Sequence, residues 1–120
     1  MNAHRLHDLQ IWQKSILLVK EVYLLTGDLP TDEKYGLAAQ IKRCAVSIPS
    51  NIAEGAGRNN SKEFYQFLGI AQGSSYELET QLILLVELNF IEEIRISSLL
   101  QKLTEIQKMI YKFKTNLIES

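Results

Sequence analysis

Apolar residues return along this chain at steps of three and four, the spacing that lines them up on one face of a helix. In the first such segment they are Leu9, Trp12, Ile16, Val19 and Tyr23. The pattern stops at Thr26-Gly27, with Pro30 beyond, and these are helix-end signals. Thr31 reads as the N-cap of a second segment, and Asp32 and Glu33 suit the positive end of its dipole. The stripe of that segment is Leu37, Ile41, Cys44, Ile48 and Ile52. "GRNNS" (Gly57 to Ser61) is the next break, with Ser61 placed to cap a third helix. That helix carries Phe64, Phe67, Leu68, Ala71, Ser75, Leu78, Leu82 and Leu85. A fourth stripe follows at Ile96, Leu99, Leu100, Leu103, Ile106, Ile110, Phe113 and Leu117. No segment reads as a strand, and there is no repeat. The pattern predicts one domain with helices over residues 8–26, 32–58, 61–89 and 93–117. Short loops between them imply an all-α, antiparallel up-down-up-down four-helix bundle.

One stretch resists this reading. "SIPSNIAEG" (Ser47 to Gly55) places Pro49 inside the second helix. Proline removes one backbone hydrogen bond there and crowds the carbonyl of Ala45, so a kink near Pro49 is expected. The helix is nevertheless predicted to continue, because Ile48 and Ile52 stay in phase with Leu37, Ile41 and Cys44. A loop would have no reason to keep that phase.

Continuity brings out a second stripe. Gln40, Arg43, Ser47, Asn51, Glu54 and Arg58 also recur at three and four, turned about 100° from the apolar face. Glu54 and Arg58 form an i,i+4 pair with the acid first, the favourable order. The third helix has Ser74, Glu77 and Gln81 beside its own apolar stripe. Folding the two helices antiparallel sets Arg43 opposite Glu77, Ser47 opposite Ser74 and Gln40 opposite Gln81. Gly69 and Gly73 on the third helix are expected to permit close approach.

Two helices carry more apolar surface than one core uses. Leu17, Leu18, Leu24 and Leu25 lie off the first stripe, and Ala38, Ala39, Val46 and Ala53 off the second. Helices apolar nearly all round are buried on more than one side. A homo-oligomer follows, with Leu17, Leu18, Leu25, Val46 and Ala53 as candidate interface residues.

"LQIWQKS" (Leu9 to Ser15), "SIPSNIAEG", Arg58 and "FYQFLGIAQGSSYELETQL" (Phe64 to Leu82) resemble, in order and spacing, the four-helix bundle family of 23S rRNA-intervening-sequence proteins, the S23-like proteins. That family is similar to the accessory proteins of diversity-generating retroelements. The resemblance implies an antiparallel bundle that assembles into a homopentamer. The retroelement proteins bind nucleic acid and a reverse transcriptase, which makes RNA or DNA, and a reverse transcriptase or other protein, the implied partners.

Composition narrows the function further. The chain has 120 residues, 46% hydrophobic and 22% charged, with net charge -1 and pI about 6.1. Bulk positive charge therefore cannot hold nucleic acid, and a local patch or a ring that repeats one is needed. Candidate phosphate contacts are Arg5, Lys42, Arg43, Arg58, Lys62, Lys108 and Lys112. The acidic pI departs from a strongly basic retroelement accessory protein and leaves a second reading, an oligomeric protein scaffold without nucleic acid. Both histidines, His4 and His7, precede the first helix. No Ser/His/Asp set, phosphate loop or nucleophile elbow appears, so no enzyme is expected and no catalytic residue is assigned. Glu54 and Arg58 read as a buried ion pair that fixes helix register. No Glu-x-x-His pair is present, and His4, His7 and Asp8 read as a polar N-terminus, so no metal or cofactor is expected. The lone Cys44 excludes an intrachain disulfide and reads as core. No apolar run approaches the ~20 residues that cross a bilayer, and the N-terminus is too polar for a signal peptide. The expectation is a cytoplasmic protein.

Overall fold

A computed structural model describes residues 5–119. Helix α1 covers Gln10–Thr26, α2 Leu37–Gly57, α3 Ser61–Glu87 and α4 Glu93–Glu119, with single 3-10 turns at Leu6–Asp8 and Thr31–Glu33. The described residues contain no strand. Sequence neighbours pack side by side, and α4 closes back onto α1, giving the four-helix bundle. At 1.5 Å per residue the 27-residue helices α3 and α4 run about 40 Å, which sets the long axis of 46 Å against 23 and 20 Å across.

Three helix ends show why the boundaries fall where they do. α2 starts at Leu37 and not at residue 32, so Thr31 is not its cap. Gly36 (φ -103°, ψ -113°) takes the chain out of helical space. Glu33 reaches across that break, its Oε2 accepting from the Leu37 N–H at 3.2 Å. α3 is capped by Asn60 and not Ser61: Asn60 Oδ1 accepts from the Glu63 N–H at 3.0 Å, supplying an acceptor to a first-turn amide that has none within the helix. α3 ends on Asn89 in the left-handed region (φ 61°). The Phe90 N–H donates to Leu85 C=O and the Asn89 N–H to Val86 C=O, both at 2.9 Å, the pairing of a Schellman motif.

The apolar phase of α2 survives Pro49, which is buried inside one continuous helix. Ile41, Ile48 and Ile52 are fully buried in one core cluster with Phe64, Leu68, Leu78 and Leu82 of α3 and Leu103 and Ile106 of α4.

In α1 the stripe is not the one the pattern suggests. The buried face is Ile11, Ser15, Leu18, Val22 and Leu25. Ile16 and Tyr23 are 42% and 50% exposed, and Trp12 and Val19 are half-buried. Both stripes have helical spacing, but Ser15 interrupts the true one. Its hydroxyl donates to Trp12 C=O at 2.8 Å, so it can be buried without an unpaired polar atom. Leu18 and Leu25, 1% and 5% exposed, are therefore core residues and not part of an oligomer interface. Leu17 stays exposed on the side of α1 that faces α4.

The close approach of α2 and α3 also has a different origin. A Cβ on Gly55 would lie 2.7 Å from Phe64 Cδ1 and 2.9 Å from Phe67 Cβ. Gly55 is thus the glycine the packing requires. Gly69 and Gly73 face away from α2: a Cβ on Gly73 would meet nothing within 4 Å, and one on Gly69 only Lys114 Nζ at 3.7 Å.

Candidate functional site

The polar stripe of α2 closes against α3 as a hydrogen-bonded seam. Ser47 Oγ and Ser74 Oγ lie 2.8 Å apart, the pairing expected from antiparallel folding. Asn51 Nδ2 donates to Ser47 C=O at 2.8 Å and to Ser47 Oγ at 2.9 Å. Cys44 Sγ sits 3.1 Å from Ser74 C=O. Burial pushes the Cys44 thiol up to about 11, and the charge and hydrogen bonding of the adjacent Glu77 carboxylate push the same way. A thiol so held is protonated near neutral pH and is a poor nucleophile.

Other expected pairs at this seam do not form. Among the described residues Arg43 makes no ion pair within 4 Å. Glu77 instead lies beside Cys44 and accepts from Gln81 Nε2 at 3.4 Å. Gln40 is exposed and makes no bond to buried Gln81. Glu54 and Arg58 do pair, at 3.7 Å, but with side chains 57% and 43% exposed, so the pair lies on the surface and is not buried. It lies on the outer face of the last turn of α2, whose inner face still carries the buried Gly55 and Ala56. Arg58 also meets Glu63 at 3.8 Å and lies over the Phe67 ring at 5.0 Å. Its charge is answered twice within the chain.

The opposite side of α2, facing α1, is built differently. Trp12, Ile16, Val19, Tyr23, Val46 and Ala53 line an open groove of about 580 Å³. Val46 is exposed and Ala53 half-buried on this groove, which the half-exposed residues of α1 also line. Two further concavities adjoin it at Tyr23. One, about 290 Å³, carries Lys34 and Lys42, and the other, about 540 Å³, carries Lys42 and Arg43. Lys20 lies on the groove itself. No aspartate or glutamate lines any of the three. Lys42 Nζ stands 5.4 Å from the Tyr23 ring centroid.

The α1–α4 side has leucines too, but its charges cancel. Lys14 pairs with Glu105 at 2.7 Å and Lys102 pairs with Glu21. Of the remaining candidate cations, Arg5 pairs with Asp8 at 3.6 Å. Lys62 is exposed at the start of α3, and Lys108 and Lys112 are exposed on α4, where Lys112 shares a cavity lining with Asp8. The structure thus brings together Lys42 and Arg43 and adds Lys20, Tyr23 and Lys34, which the sequence reading did not single out. Tyr23 falls on a stripe of core-like spacing yet is half exposed.

Among the described residues no three His, Cys, Asp or Glu side chains gather as a metal site. His4 lies outside the described residues, and His7 packs edge-on to Trp12 with centroids 5.1 Å apart. No described helix is long and apolar enough to cross a membrane.

Comparison with known proteins agrees with this architecture. A family model described as "23S rRNA-intervening sequence protein" matches residues 7–112. A crystal structure of a protein of unknown function from the S23 ribosomal protein family, from Bacteroides thetaiotaomicron VPI-5482, superposes with a TM-score of 0.80 at 26% identity, covering 87% of this chain and 97% of that one. No curated protein matches.

Proposed function

The chain belongs to the 23S rRNA-intervening sequence protein family, and from that premise we propose that it is a non-catalytic, homo-oligomeric assembly module of the cytoplasm. The observation that carries the reading is the α1–α2 groove. Trp12, Ile16, Val19 and Val46 present one continuous apolar wall to solvent. Exposed apolar patches of this kind are the ones that partners cover. A second copy supplies the partner, and five copies is the number that the resemblance to retroelement accessory proteins implies.

Light scattering tests this directly. The expected mass is several times the 13.7 kDa of one chain. Ile16→Glu places a charge at the apolar end of the groove and is expected to give folded monomers, with helicity kept. A wild-type mass of one chain at tens of micromolar overturns the assembly reading.

A nucleic-acid context is the second reading. It is favoured by the cations gathered around Tyr23 with no acid in the lining. Its alternative is a protein scaffold that uses the same oligomer without nucleic acid.

A further inference from the structure

We propose that the Tyr23–Lys42–Arg43 end of the α1–α2 wall is a binding site for single-stranded nucleic acid. The proposal rests on the assembly reading in one respect. The apolar end of the wall, around Trp12, Ile16 and Ala53, is taken up by a second copy, and the cationic end stays open.

Charge singles out this end of the wall. The chain as a whole is slightly acidic, so its cations matter only where acids do not answer them. Around Tyr23 they are not answered. Lys34, Lys42 and Arg43 line adjoining concavities that contain no carboxylate, whereas Lys20 also lines the α1–α4 concavity beside Glu21 and Glu105. The acids nearest in sequence are engaged elsewhere: Glu21 with Lys102, Asp28 with Arg95 at 2.5 Å, and Glu33 with the Leu37 N–H. Asp32 is exposed on the 3-10 turn and lines none of the concavities.

Cations here also stand beside accessible rings. The Tyr23 ring is half exposed beneath Lys42. Tyr35 is 87% exposed with Lys34 Nζ 5.5 Å from its centroid. An aromatic face beside a positive charge suits a nucleotide, whose base stacks while its phosphate meets the cation. A duplex keeps its bases stacked and hides those faces, so the fitting partner is a single strand. An acidic peptide would engage the lysines and leave both rings idle. Repetition around an oligomer would string these sites along one strand and raise a modest affinity per subunit.

The test uses the full chain and fluorescence anisotropy of end-labelled oligouridine and oligothymidine of twenty nucleotides. Binding is expected at 50 mM salt. With about three phosphates engaged, it should weaken about 20-fold at 200 mM. Lys42→Glu with Arg43→Glu should weaken it at least tenfold. Tyr23→Ala should weaken it several-fold without changing the salt slope, because it removes a stacking face and no charge. Lys108→Glu with Lys112→Glu on α4 should stay within twofold of wild type. Light scattering and circular dichroism on each sample report assembly and folding, with the milder Lys42→Gln and Arg43→Gln pair held for any sample that loses helicity. An assembled wild type that binds neither strand at 50 mM overturns the site and leaves the assembly standing. A monomeric wild type that binds with the expected Lys42/Arg43 dependence does the reverse. Equal losses from the α4 pair, or displacement by polyglutamate at matched charge, also overturn the assignment.

Discussion

The two long sides of α2 are made from one helix and do opposite things. Toward α3, the turns from Cys44 to Gly55 are occupied. Gly55 lets the helices touch, Ser47, Asn51 and Ser74 bond to one another, and Cys44 is buried beside Glu77. Toward α1, the outer part of the wall is apolar and open, and its cations have no acids in the lining. A polar stripe in a helical sequence invites a functional reading, yet here the polar side is the structural one. The apolar side, which invites a core reading, is the side left available to partners.

That contrast can be broken by substitution, and the seam should suffer most. Gly55→Ala gains about 1 kcal/mol of helix propensity. It also drives a Cβ into Phe64 and into Phe67 Cβ, which is fixed to its backbone and cannot swing away. Overpacking should prevail, with a net loss of about 2 to 3 kcal/mol in urea unfolding. Unchanged stability would mean that α2 and α3 are not so close.

Next is the pH dependence of the seam. The Cys44 pKa is raised in the folded state, from 9.0 to about 11. Its contribution is therefore fully present below about pH 9 and is lost as pH rises toward 11. The slope is negative because the unfolded chain releases this proton first. A fall of about 2 kcal/mol across that window is expected, from the roughly 1.4 kcal/mol carried by each pKa unit. Cys44→Ala should flatten it. A native thiol that reacts with a disulfide reagent at pH 8 as fast as a free cysteine would contradict the burial.

Smaller effects follow. Ser47→Ala removes the partner of both Ser74 Oγ and Asn51 Nδ2 and should cost about 1 kcal/mol. Glu54→Gln removes a half-exposed ion pair and should cost under about 0.5 kcal/mol. A loss above about 1.5 kcal/mol would show that Glu54 belongs to the seam after all.

The fold was largely legible, and its misreadings have physical causes. Long amphipathic periods survive Pro49, since Ile48 and Ile52 hold the phase on both sides of it. Helix ends were harder: Thr31 looks like a cap, but the conformation of Gly36 overrides it. In α1 two stripes compete, and hydropathy prefers the one that Ser15 does not interrupt. The buried stripe tolerates Ser15 because its hydroxyl bonds back to Trp12, a compensation no periodicity count contains. The candidate site inherits that error. Spacing places Tyr23 on the core stripe, which hides the cluster it forms with Lys34 and Lys42, and no spacing shows that Glu54, Glu63 and Phe67 all lie beside Arg58.

A second copy is expected to cover the apolar end of the α1–α2 wall, and the chain carries its own probe for this. Trp12, the one tryptophan, lies on that groove. Its emission should be blue-shifted at tens of micromolar and move red on dilution, in step with the fall in mass by light scattering. Ile16→Glu should start at the red position. If the mass falls on dilution while Trp12 emission stays fixed, the copies meet on another face, and the account of this wall is wrong.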